Sequence, residues 1–370
     1  MRKTLLLVAA ALVVVGAPAL AFHDGGVAHC NGCHTMHNSQ DGVGMNDGLP
    51  VGQGYDHLLL FADATSVCLD CHDGEGSFHI WSADPDAPNV GSANRGGGDF
   101  VFLEETNIND AHAGASNPIL GESAGHSVIS SLKGTGVDSI LSSSPGGSYP
   151  ADQMACTSCH DPHGTGSYRI LYQSGQAILN ATFTATIDAD GISLFSSQPE
   201  TNTSHNAYKS GYSAWCATCH ADFHAMWGTE FIHPSGQNLG ADIAAKYNAY
   251  MGSTDCANIP PVGVTPCGSG TGTGVYLAAV PFEDDGMTTS YADGPTSASR
   301  VACMTCHRAH ATSSPDAGRW DFSITGLEED GNESTSYKIP NAYPGDTSQR
   351  SLCNKCHTQD EFDEIRDFTP

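Results

Sequence analysis

Cys30-Asn31-Gly32-Cys33-His34 decides how this chain is read. The same pattern, two cysteines separated by two residues and followed at once by histidine, returns at Cys68-Cys71-His72, Cys156-Cys159-His160, Cys216-Cys219-His220, Cys303-Cys306-His307 and Cys353-Cys356-His357. CxxCH is the attachment signature of c-type haem: two thiols add to the two vinyl groups of one porphyrin, and the adjacent imidazole lands on the iron. A single CxxC also suits half a zinc site or a redox dithiol. Six copies do not, because zinc sites have no need of a histidine after every second cysteine and a dithiol works as one pair.

Working outward, the amino terminus reads as a secretory signal peptide over residues 1–21. Met1-Arg2-Lys3 is basic, Leu5 to Gly16 is apolar, and Ala19-Leu20-Ala21 is a small-x-small cleavage site before Phe22. The mature chain, 22–370, is expected to be a single hexahaem domain, exported to where thiols can be joined to haem. No later apolar run is long enough to cross a bilayer. The six motifs use 12 of 14 cysteines. The remaining pair, Cys256 and Cys267, reads as a disulfide worth roughly 2–3 kcal/mol if unstrained.

With 42 Gly, 19 Pro and 39% apolar residues, the chain has few side chains for an ordinary core. The expected fold is therefore a mostly irregular multihaem cytochrome c, short helices and loops with little β-structure wrapped around six haems. Residues 182–195, around Asp188-Ala189-Asp190-Gly191, resemble a β-hairpin. Residues 241–251 resemble a short amphipathic helix. A net charge of −27 argues against nucleic-acid binding.

Eighteen histidines are present, of which six are proximal ligands, so a second histidine is available for every iron. Methionines are fewer and show no repeated spacing, which favours bis-histidine ligation. His37, His163 and His310 each follow a proximal histidine by three residues, and His224 follows His220 by four. Side chains three apart on a helical turn share a face. The second imidazole cannot reach the far side of its own haem, so it binds the iron of a different haem or none. His126, His233, His224 and His79 are the further distal candidates. His29, His57, His112 and His205 read as surface histidines, and His23 is open.

Phe22-His23-Asp24-Gly25-Gly26-Val27-Ala28, running into the first motif and Thr35-Met36-His37-Asn38-Ser39, resembles the mature amino terminus of the OmcS-type hexahaem cytochromes, which polymerise into extracellular nanowires. Residues 156–164, 303–311 and 352–357 resemble that family too. The resemblance implies six bis-histidine haems stacked in a continuous file. It also implies a homopolymer in which His37 ligates a haem of the adjacent subunit, the fifth, held there by His307. His23, His79, His126, His224 and His233 fall in matching contexts.

The expected function is electron transfer without bond-making chemistry: a secreted conduit, extracellular or at the cell surface, delivering electrons to metal oxides, partner cells or other cytochromes. A monomeric periplasmic shuttle shares every motif and differs only in assembly and location. A multihaem oxyanion reductase requires an iron with an open coordination position, against which the surplus of histidines counts.

Overall fold

The computed structural model describes residues 30–46, 48–74, 79–82, 96–104, 108–109, 118–119, 121–164, 166–194, 200–224, 235–249, 273–320, 322 and 352–357. Regular structure is sparse among them. Two helices reach nine or ten residues, Ala64–His72 and Gly240–Ala249. The other helical pieces run three to five residues, and three two-stranded antiparallel sheets use strands of two to four. Cys256, Cys267, His23, His29, His112, His233 and the signal segment lie outside the described residues.

The helix Ala64–His72 starts where Asp63 accepts hydrogen bonds from Ser66 N at 2.7 Å and Ser131 N at 2.8 Å. Partial burial pushes the Asp63 pKa up, but the bonds from Ser131 and Ser66 outweigh it and hold the carboxyl below its usual range. A cap of this kind stabilises a helix by about 1 kcal/mol. It fixes the start of a helix whose last turn is the second haem motif. Gly240–Ala249 realises the amphipathic segment expected at 241–251. Ala244, Tyr247 and Ala249 are buried, and the Tyr247 hydroxyl donates to Val280 O at 2.9 Å while accepting from Leu277 N at 3.0 Å.

The hairpin expected at 182–195 does not form. Ala177–Ile178 pairs with Ala181–Thr182, and Asp190–Ile192 reaches across to Ala207–Ser210. A two-residue hairpin turn wants left-handed backbone. Asn180 supplies it at φ 65°, whereas neither Asp190 nor Gly191 has positive φ.

Buried apolar side chains from distant parts of the chain, among them Leu69, Trp81, Phe102, Tyr247, Trp320 and Leu352, join one cluster. A smaller cluster gathers Ala189, Tyr208, Tyr212, Ala302 and Met304. Cys306, Cys353 and Cys356 pack against the larger cluster, which fixes the last two motifs in space. Among the described residues, no helix is long and apolar enough to cross a membrane.

Candidate haem sites

Five motifs close the same single turn. The backbone N–H of the histidine donates to the carbonyl of the first cysteine: His34 to Cys30 at 2.9 Å, His160 to Cys156 at 3.0 Å, His220 to Cys216 at 3.0 Å, His307 to Cys303 at 2.9 Å and His357 to Cys353 at 3.0 Å. The remaining one, the second motif from Cys68 to His72, ends a regular helix. One helical turn carries residues i, i+3 and i+4 on one face, so two thiols and an imidazole converge.

The imidazoles are oriented from behind. His34 Nδ1 lies 2.9 Å from the carbonyl of His57, His160 Nδ1 2.8 Å from Arg169 O, His307 Nδ1 2.8 Å from Asp316 O, and His220 Nδ1 2.7 Å from Pro145 O. A carbonyl only accepts, so Nδ1 carries the proton and Nε2 is left for a metal. Three of the acceptors sit in equivalent turns: His57-Leu58, Arg169-Ile170 and Asp316-Ala317 each hold two consecutive residues at φ between 49° and 58°. Left-handed backbone costs a residue with a Cβ roughly 1–2 kcal/mol. The turns are braced by bridges between His34 and Leu59, His160 and Leu171, and His307 and Gly318. The first, third and fifth motifs are thus one structural unit used three times, and they are the three that carry HxxH.

Across the proximal rings stand other histidines. An imidazole nitrogen lies roughly 2.0–2.1 Å from a first-row metal and the ring centre about 1 Å behind it, so two imidazoles on opposite faces of one iron have centroids roughly 6–6.5 Å apart. His34 and His163 are 6.2 Å apart, His160 and His310 6.5 Å, and His220 and His126 5.9 Å. Burial, reinforced by His160, pulls the His310 pKa down to about 3. Burial with His220 beside it pulls His126 down to about 4. Both are held as neutral imidazole, the form that ligates iron. Among the described residues, no group of three or more histidine, cysteine or acidic side chains gathers around one point.

A continuous cavity of 2530 Å³ runs past the second to sixth motifs and is lined by His72, His160, His220, His307 and His357 with their cysteines, Cys71 excepted. Burial pushes the thiols of Cys159, Cys306 and Cys356 up to about 12. The thiol of Cys68 lies beside that of Cys156, and the thiol of Cys216 beside that of Cys303. Cys33 is an electrostatic neighbour of Cys68 and Cys71, Cys159 of Cys219, and Cys306 of Cys353 and Cys356. The motifs therefore follow one another in space in sequence order. The paired imidazoles, the thiols beside them and the apolar cavity fit covalently bound haem.

Of the other expected ligands, His37 is exposed, His79 is buried, and His224 lines the cavity. His233 lies outside the described residues. Among the described residues, no histidine ring faces His37 or His307; the latter has Phe322 edge-on at 5.4 Å. His57 is exposed as expected, yet its carbonyl serves His34. His205 is not a surface residue: it is fully buried against Tyr276, centroids 4.0 Å apart, with Nδ1 and Nε2 each 2.7 Å from a carbonyl, of Asn206 and Tyr291. Both nitrogens face the backbone and the ring N–H has a carbonyl acceptor, so His205 is a core residue. The turn carbonyls were not foreseen. Pro145-Gly146 has a recognisable turn signature, but nothing in His57-Leu58, Arg169-Ile170 or Asp316-Ala317 announces one.

No protein-family model matches the chain. It is 32% identical to the C-type cytochrome OmcS of Geobacter sulfurreducens, over 97% of this chain and 99% of that one. Its structure is similar to that of the Outer Membrane Cytochrome S filament from Geobacter sulfurreducens, with a TM-score of 0.73 and 29% identity over 92% of this chain and all of the other. A second structure, of the OmcS nanowires from the same organism, gives a TM-score of 0.70 at the same identity and coverage. The chain belongs to the family of the C-type cytochrome OmcS, and its mostly irregular fold is that of a multihaem cytochrome.

Proposed function

We propose that this protein is a secreted hexahaem cytochrome whose copies join end to end into an extracellular filament that carries electrons to distant acceptors. Covalent haem c supplies a one-electron ferric–ferrous couple when bound. The chain's own residues hold it: twelve cysteines in six motifs, with His34, His72, His160, His220, His307 and His357 as proximal ligands. His163 serves as distal ligand opposite His34, His310 opposite His160, and His126 opposite His220. His79, His224 and His233 are the candidates for the irons held by His72 and His357. Two imidazoles on an iron leave no position for a substrate, which supports electron transfer over oxyanion reduction. Export follows from the signal peptide at 1–21, leaving 22–370 as one domain.

One observation carries the filament. The second histidine of the third motif faces the proximal histidine of the first, and that of the fifth faces that of the third. Each HxxH unit thus caps the unit before it. By the same rule the fifth motif awaits another unit and the first offers its own second histidine outward. His37 of one copy on the haem held by His307 of the next continues the internal pattern across the subunit boundary, giving a head-to-tail polymer. The OmcS filament and nanowire structures support that assembly.

Replacing His37 by Ala in the haem-loaded protein tests the link. Filaments seen by electron microscopy are expected to disappear, and one haem is expected to show a high-spin signal. Unchanged filaments with an all-low-spin spectrum would overturn the proposal.

A further inference from the structure

His37 is exposed, yet the backbone that carries it is held from both sides. Before it, buried Thr35 donates its N–H to Leu58 O at 2.8 Å. After it, Asn38 turns left-handed at φ 42° and is only 2% exposed. The Asn38 side chain engages the main chain with its full complement of two acceptor and two donor positions. Oδ1 accepts from Met45 N at 2.8 Å and Asn46 N at 2.5 Å, and Nδ2 donates to Leu49 O at 3.1 Å and Pro50 O at 2.8 Å. Just beyond that clamp, Gly52 N donates to the carbonyl of His37 itself at 3.2 Å. Asn46 ties the same loop to Leu59 O at 2.7 Å.

This segment is inside-out. Across residues 36–60 the buried residues among those described are Asn38 and Asn46, whereas Met36, Val43, Val51 and Leu58 are all exposed. A fully bonded buried amide specifies one conformation of the chain around it, a task that apolar packing performs elsewhere. The other two HxxH units show where such a clamp is dispensed with. The residue after the second histidine is Gly164 in the third motif, at φ 77°, and Ala311 in the fifth, fully buried with its carbonyl accepting from Asp99 N at 2.9 Å. Neither has a side chain that can hold a loop. Their histidines, His163 and His310, each meet an imidazole of the same chain. The clamp stands where the second histidine faces outward.

The inference rests on the proposed ligation of a neighbouring copy by His37. We propose that Asn38 is a positioning residue for that bond: it fixes the loop behind His37 in the free subunit, so that the imidazole is presented to the iron held by His307 of the next copy without first having to be ordered. A loop ordered only on binding loses conformational entropy at that moment, and a loop already fixed does not. Asn38 does not touch the iron. It acts by raising the effective concentration of His37 there.

Competition with free imidazole tests this in the haem-loaded full chain. Free imidazole takes the same coordination position as His37, so the concentration that halves the sedimenting filament mass measures how well His37 is presented. Asn38→Gly keeps the left-handed backbone available and removes the four side-chain bonds. It is expected to lower that imidazole concentration about tenfold, while filaments formed without imidazole stay low-spin because His37 is still present. A merely structural Asn38 would lower the unfolding temperature and leave the competition unaltered, and unaltered competition overturns the proposal. Should Asn38→Gly fail to fold, the unaltered ferrous subunit, kept apart by excess imidazole, still decides. Nuclear magnetic resonance order parameters at His37 and Asn38 are expected to be roughly 0.85, as in rigid backbone, and values below about 0.6 overturn the proposal. Filaments of ordinary stability from His37→Ala would instead overturn the ligation itself, and the two failures are distinguishable.

Discussion

The first and fifth motifs have the same local structure and opposite surroundings. In both, the histidine N–H closes one turn onto the first cysteine at 2.9 Å, and Nδ1 meets the carbonyl of a left-handed turn, at 2.9 Å for His34 and 2.8 Å for His307. Beyond that they part. Met36 is 76% exposed and His37 stands in solvent, while His310 is stacked on Phe100 with centroids 4.5 Å apart and Ala311 is fully buried. The local code builds a unit that carries a second imidazole three residues after the first. What the second imidazole does is decided by what lies against it: the fifth unit has its partner within the chain, and the first presents its histidine outward.

Breaking the buried side is expected to have the largest effect. His310→Ala removes a ring packed on Phe100 and the imidazole opposite His160, so unfolding of the haem-loaded subunit should become easier by about 3 kcal/mol or more. Calorimetry should record the loss, and a high-spin signal should appear whether or not filaments are present. His37→Ala should shift subunit stability by less than about 0.5 kcal/mol and show its effect only on assembly. Equal stability losses in the two variants would erase the distinction between the units.

A smaller contrast uses glycines. A methyl at Gly125 would come within 2.0 Å of His310 O and 2.5 Å of Ala311 Cα, both backbone, whereas one at Gly32 meets nothing within 4 Å. Gly125→Ala is expected to destabilise by about 1–3 kcal/mol, and Gly32→Ala by less than about 0.5 kcal/mol. Chemical denaturation of the two variants side by side checks this. A tolerated Gly125→Ala would mean that the segment around His310 is less tightly held than its packing implies.

The motifs were legible because nothing else explains two thiols and an imidazole at fixed spacing six times over. The HxxH spacing singled out His163 and His310 as well, although the helical turn assumed for it does not form: the helix of the fifth motif ends at Cys306 and His307 is already extended. Which motif histidine each faces was not legible, because that depends on how distant units pack, as His163 beside His34 illustrates. His205 was misread for the same reason: a polar type suggests the surface, yet stacking on Tyr276 and a backbone carbonyl that accepts from the ring N–H hold it in the core. The hairpin near Asp190-Gly191 was misplaced because an Asp-Gly pair permits a turn without requiring one. Asn180, two residues before the expected span, carried the needed conformation.

The smallest expected effect separates the two units inside their shared turn. Leu58 and Ala317 occupy the same place, at φ 58° and 54°, but Leu58 is 47% exposed and Ala317 only 9%. Glycine at either position relieves roughly 1–2 kcal/mol of left-handed strain and gives back about 0.4–1 kcal/mol through a more flexible unfolded chain. For Leu58→Gly little burial is lost, so a net gain of about 0.5 kcal/mol is expected in thermal unfolding. Ala317→Gly also removes a buried methyl worth about 0.8 kcal/mol, which cancels the relief and leaves stability unchanged or slightly lower. If both variants stabilise equally, the surroundings of the two turns do not differ in the way their burial indicates. If only Leu58→Gly does, the first unit is the one whose packing is left for another copy to complete.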